Sequence, residues 1–197
     1  LIFSMKNTIQ SAISGNIAVQ QMLLADEALH REIEAIVECL VGVFQRGGKV
    51  LFCGNGGSAA DAQHLAAELS GRFYLNREPL FAEALHVNSS FLTAVANDFG
   101  YDEVFARAVM AMGREGDVLF ALSTSGNSPN IIKAIQAARA QKMKTVGMAG
   151  NTGGEMNLYC DYLLKIPSGN TPRIQESHIL LGHIICELTE SAIFAPK

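Results

Sequence analysis

Charge is scarce in this chain. Asp, Glu, Lys and Arg make up 17% of its 197 residues, against roughly 25% in an average globular domain. Lys and Arg form no cluster, and 15 basic residues against 19 acidic ones leave a net charge of −4. The electrostatic footprint of a nucleic-acid binder is therefore missing. An anionic ligand would have to be held by backbone N–H groups and hydroxyls more than by cations. No apolar run approaches the ~18 residues of a membrane span, which excludes a membrane partner of that kind. The four cysteines, Cys39, Cys53, Cys160 and Cys186, stand far apart with no C-x-x-C pair. They make neither a disulfide framework nor a cysteine zinc site, and they suit a reducing cytoplasm. The opening Leu1-Ile2-Phe3-Ser4-Met5 lacks the basic and apolar regions of a signal peptide.

Apolar side chains are plentiful instead, at 49%, with a mean hydropathy of +0.19. A 21.1 kDa chain can bury a sizeable core as one domain without disulfide staples. High apolar content with little charge implies that surface is also buried between subunits.

Residues 7–46 read as two helices. Ile9, Ile13, Ile17 and Leu23 recur at helical spacing in the first, and Leu29, Ile33, Ile36, Val37, Leu40 and Phe44 in the second. Gly47-Gly48 stops the second helix. Short apolar runs then alternate with helical patterns. Strands are expected at 49–53, 81–86, 118–122, 145–149 and 162–166. Helices are expected at about 59–72, 89–96, 102–112, 129–141 and 172–193. Five strands alternating with helices indicate a three-layer αβα sandwich around a five-stranded parallel sheet. No linker or repeat interrupts the pattern, so 1–197 reads as one domain: helices at 1–47 and an α/β core at 48–197. Right-handed crossovers place the loops that follow the strands along one sheet edge.

Two of those loops carry chemistry. Gly54-Asn55-Gly56-Gly57-Ser58-Ala59 joins a strand to a helix, where glycines allow close backbone approach and free N–H groups attract anions. It is not a Walker loop, because no Gly-Lys-Ser/Thr follows. It matches G-x-G-x-x-A, but dinucleotide binding needs an acidic residue at the end of the next strand, where His86 stands. The second loop, Ser123-Thr124-Ser125-Gly126-Asn127-Ser128, puts four hydroxyls in six residues at a helix start. It makes a neutral phosphate cradle, where a plain helix cap would need one serine. Two such loops on one edge point to a sugar phosphate.

The helix after the first loop carries Asp61, His64 and Glu68, with His64 and Glu68 on one face. The last helix carries Gln175, His178 and His183, and positions 175, 179 and 183 follow one stripe. Spacing alone leaves both a solvated His/Glu pair and a metal or acid–base site open. His183 sits in Leu180-Leu181-Gly182-His183-Ile184-Ile185, where a core histidine is the default, and His178 and His86 also read as structural.

The motifs Cys-Gly-Asn-Gly-Gly-Ser at 53–58, Ala-Ala-Glu-Leu-Ser-Gly-Arg at 66–72, Asn-Asp at 97–98, Ser-Thr-Ser-Gly-Asn-Ser at 123–128 and Arg-Ile-Gln-Glu at 173–176 occur in the order seen in a known family. Over nearly its whole length the chain resembles the phosphoheptose isomerases of the sugar isomerase (SIS) domain class. The resemblance implies an aldose–ketose isomerase acting on sedoheptulose 7-phosphate, cytoplasmic, homotetrameric, with one zinc ion per subunit. Carried over by position, the zinc ligands are His64, Glu68, Gln175 and His183. Substrate contacts are Asn55, Gly56, Gly57, Ser58, Glu68, Asn97, Asp98, Ser123, Thr124, Ser125, Ser128 and Gln175. Glu68 is the candidate base at C1 and His183 the acid–base group at the neighbouring oxygen. Pro172 stands where some members have Asp, so no contact is carried over there.

An SIS relative that binds the replication initiator has lost the isomerase residues, whereas positions 68 and 183 here are Glu and His. Regulators of the same class carry an added DNA-binding domain, and the helices at 7–46 have neither the basic residues nor the length expected of one. The helices at 1–47 and the apolar stripe at 179–193 are the expected tetramer core. In such an assembly Glu68 and His183 are expected to meet from different chains.

Overall fold

A computed structural model describes residues 4–195. Helix α1 (Met5–Leu24) starts where Ser4 accepts the Asn7 N–H, and α2 (Glu27–Gln45) where the Asp26 carboxylate accepts those of Ala28 and Leu29. These side chains satisfy donors that a first helical turn leaves free. The two helices bury very different amounts. The α2 stripe of Leu29, Ile33, Ile36, Val37, Leu40 and Val43 is buried, while α1 buries only Val19 and Leu23.

Among the described residues five strands form one sheet: β1 (Val50–Cys53), β2 (Ala82–Ala84), β3 (Val118–Ser123), β4 (Lys144–Ala149) and β5 (Tyr162–Lys165). All neighbours are parallel, in the order β2-β1-β3-β4-β5. Every residue of β1 and β3 is buried, as a sheet covered on both faces requires. The two-residue period divides them cleanly. Val50, Phe52, Val118, Phe120 and Leu122 join the core under α2, α3 (Gly57–Ser70) and α7 (Thr171–Phe194). Leu51, Cys53, Leu119 and Ala121 join the core under α4 (Ser89–Phe99), α5 (Val104–Met112) and α6 (Pro129–Ala140). The Phe52 and Phe120 rings stack across the first core at 5.2 Å.

The expected boundaries shift in physically simple ways. α3 begins at Gly57 and ends at Ser70, against 59–72 expected. β2 keeps three residues because it lies at the sheet edge and the chain turns at Leu85-His86. Ser123 is the last residue of β3, a 3-10 turn at Tyr101–Glu103 forms the start of the helix expected at 102–112, and a second at Gly154–Leu158 lies outside the expected elements. The strand order reverses between β1 and β3. In an open parallel sheet the ligand crevice lies outside the carboxyl ends of the strands at that switch point. The Gly54–Ser58 and Thr124–Ser128 loops leave β1 and β3 there, side by side.

Candidate active site

The first loop turns at Gly56, whose φ of 56° lies in the left-handed region glycine tolerates. Gly57 then lies so close to the amide of Gln175 that a Cβ would fall 2.4 Å from its Nε2. In the second loop Ser123 Oγ and Ser128 Oγ are 3.1 Å apart. Ser128 therefore bonds its hydroxyl to the strand end and leaves α6 without a side-chain cap. The α3 start lacks one too. No side chain occupies either helix start, unlike those capped by Asp26 in α2 and Asn88 in α4. The N–H groups of Ser58, Ala59 and Ile131 donate to the carbonyls of Asn55, Gly56 and Ser128, so an anion there would meet the remaining donors and the positive end of each helix dipole.

The two loops are tied together. Asn55 and Asn130 exchange side-chain amide hydrogen bonds, both 2.9 Å, and Tyr101 donates its hydroxyl to Asn55 Oδ1 at 3.1 Å. The Thr124 carbonyl accepts the Gly150 N–H at 3.0 Å, which anchors the second loop to the end of β4. Asn130 and Tyr101 were not singled out from the sequence. An Asn after Ser-Pro and a Tyr after Gly look like ordinary turn residues, and only the fold reveals their shared partner.

Beside the first loop, α3 and α7 converge. His64 Nε2 lies 2.8 Å from His183 Nε2 and 3.2 Å from Glu68 Oε1. Ligand atoms of the three residues all lie within 4.8 Å of one another. Two imidazole nitrogens facing each other at that distance need a proton or a cation between them. Two nitrogens and one carboxylate oxygen on rigid helices, with the His64 side chain 48% exposed, form a candidate metal cluster open on one side. That donor set suits zinc. The Phe73 ring packs 5.7 Å from that of His183.

The other candidate residues lie on these and the neighbouring elements. Gln175 lies on α7 ahead of His183, over Gly57. Ser58 is buried at 4% exposure, beneath the loop. Asn97 and Asp98 end α4, their side chains bonded to each other at 2.9 Å, and the chain passes from them to Tyr101. Asp61 lies one turn before His64. Burial pushes its carboxyl up, opposed by the charge of His64, and its Oδ2 has no partner among the described residues.

Two expectations need correction. His183 is no core histidine: it is half-buried and faces His64, whereas His178 is the fully buried one. Both positions lie in apolar sequence, and only the helix phase separates them. Glu68 and His183 also do not need two chains to meet, because α3 and α7 of one chain bring them together.

A family profile described as the SIS domain matches residues 17–150. The phosphoheptose isomerase of Aneurinibacillus thermoaerophilus is 51% identical over 193 residues, covering 98% of each chain. The solved phosphoheptose isomerase of Neisseria gonorrhoeae superposes with a TM-score of 0.89 at 40% identity, covering 95% of this chain and all of that one. That of Francisella tularensis superposes at 0.91 with 35% identity, covering 96% and 100%. The chain belongs to the SIS domain family, within its phosphoheptose isomerases, and is an isomerase.

Proposed function

We propose that the chain interconverts sedoheptulose 7-phosphate and D-glycero-D-manno-heptose 7-phosphate through an enediol, the first step toward nucleotide-activated heptose for a surface glycan. The observation that carries the reading is the His64–Glu68–His183 cluster standing open beside two uncapped helix starts at the switch point. The phosphate is held by the hydroxyls of Ser123, Thr124, Ser125 and Ser128 and by the positive end of the α6 dipole behind them, so few cations are required. Asn55, Gly56, Gly57, Ser58, Asn97, Asp98 and Gln175 hold the sugar.

Isomerisation moves one proton between carbons and one between oxygens. Glu68 takes the C1 proton and returns it to C2, while His183 takes the proton from O1 and delivers one to O2. His183 also assists ring opening. A zinc ion held by His64, Glu68, Gln175 and His183 would polarise the carbonyl and stabilise the negative charge that develops on the sugar oxygens.

Self-association into a homotetramer fits the apolar surface. Ile9, Ile13 and Ile17 form an exposed α1 stripe, at 59%, 57% and 51%. An apolar groove of about 510 Å³ lies between α1, α2 and α7, lined by Leu23, Leu24, Ile33, Leu180 and Ile184. The lack of a disulfide among four free cysteines suits a cytoplasmic enzyme. No described helix is long and apolar enough to cross a membrane. The test is incubation of the purified chain with sedoheptulose 7-phosphate, following aldose formation with and without chelator. Turnover that chelation lowers is the expected result, and no turnover in either condition refutes the proposal.

A further inference from the structure

The candidate cluster depends on how α3 and α7 meet, and one buried ion pair joins them close to it. Leu65 packs over Gly182, where a Cβ would come within 2.6 Å of its side chain, so the helices touch directly beside His64 and His183. Beyond that contact lies Arg77 paired with Glu190, their side chains 2% and 1% exposed. Glu190 sits two turns after His183 on the same helical face.

Both partners are fully engaged. Glu190 accepts the N–H groups of Phe73, Tyr74 and Leu75 at 2.9, 2.7 and 2.9 Å and the Arg77 Nε–H at 2.9 Å. Arg77 donates to the carbonyls of Glu68 and Leu69 at 3.0 and 2.8 Å, and to those of Gly71 and Glu78. A guanidinium at these carbonyls caps the C-terminus of α3 and complements its dipole. Two of the bonds end at groups that carry or abut the cluster: the carbonyl of Glu68 itself, and the N–H of Phe73, whose ring packs on His183. Burying an ion pair for stability alone gains little over an apolar pair, whereas groups that orient metal-binding side chains are a recognised use of buried polarity.

We propose that Arg77 and Glu190 are positioning residues that hold Glu68 and His183 at metal-binding and proton-transfer geometry. The proposal rests on the metal-assisted reading of the cluster. The experiment compares Glu190→Gln and Arg77→Lys with the parent chain. It measures zinc affinity by competition with a chromophoric chelator, kcat and KM separately, and Tm. Asp117→Asn is the control, because the buried Lys49–Asp117 pair lies before β1 and β3 at the far end of the sheet.

Both cluster-side variants are expected to weaken zinc binding about 10-fold or more and to lower kcat, with KM changed less than about twofold, the substrate's own contacts being intact. Asp117→Asn should lower Tm alone. Loss of Tm with zinc affinity and kcat unchanged in both variants would overturn the proposal. If neither folds, Glu190→Asp, which keeps the charge but shortens its reach to Arg77 and the Phe73 N–H, decides the matter: an unchanged zinc affinity and kcat overturn it, and a fall in both supports it. A parent chain that binds no zinc refutes the metal reading itself, an outcome distinct from a zinc-binding parent with indifferent variants.

Discussion

Stability in mild acid should be governed largely by His178. Its ring is fully buried on α7, and neither ring nitrogen has a partner among the described residues. Burial drives its pKa down to about 4, and the nearby Ala149 carbonyl, out of good hydrogen-bond geometry, only partly opposes this. In the unfolded chain the same imidazole titrates near ~6.5. As the pH falls, the unfolded state therefore takes the proton first. Stability is complete above about pH 6.5 and is lost progressively down to about pH 4. At ~1.4 kcal/mol per pH unit the full interval is worth about 3 kcal/mol, of which about 2 kcal/mol is gone by pH 5. Urea unfolding of the chain and of His178→Leu at several pH values between 7.5 and 4.5, with chelator present throughout, isolates this contribution. Leucine has similar bulk and removes two orphaned polar atoms, so the variant should stay within about 1.5 kcal/mol of the parent at pH 7.5. Between pH 7.5 and 5 it should lose about 2 kcal/mol less than the parent does. Parallel pH profiles for the two proteins would refute the reasoning.

Three further outcomes follow from the crevice and the surface. Asn130→Ala strips Asn55 of its amide partner and should cost about 1–3 kcal/mol in a thermal melt, with KM rising more than kcat falls. Gly57→Ala drives a methyl into the end of the flexible Gln175 side chain. It should change stability by under ~1 kcal/mol while lowering activity and zinc affinity, which kinetics and chelator competition would register together. Ile13→Glu, on the exposed α1 stripe, should convert the assembly to smaller species in sedimentation velocity without altering the circular dichroism of the fold.

Much of the architecture is legible locally. Val50–Cys53 and Val118–Leu122 are uniformly apolar because both sheet faces are covered, and the glycine and serine clusters after them mark the carboxyl edge. β2 is harder to place, since an edge strand of three residues has little pattern to display. The stripe through 175, 179 and 183 is legible as a helix face, and the structure finds all three half-buried. Which histidine of that helix turns inward depends on packing against Leu65 and the sheet, which periodicity does not encode. Asn130 and Tyr101 depend on a partner 75 or 46 residues away. Arg77 and Glu190 lie 113 apart, with no local signal at either end.

Comparing kcat of the parent chain and Glu68→Gln on sedoheptulose 7-phosphate tests the central claim most directly. General acid–base catalysis contributes ~10²–10⁴-fold, so the variant should lose about that factor and keep its fold. Aldose formation by Glu68→Gln at the parent rate would contradict the account.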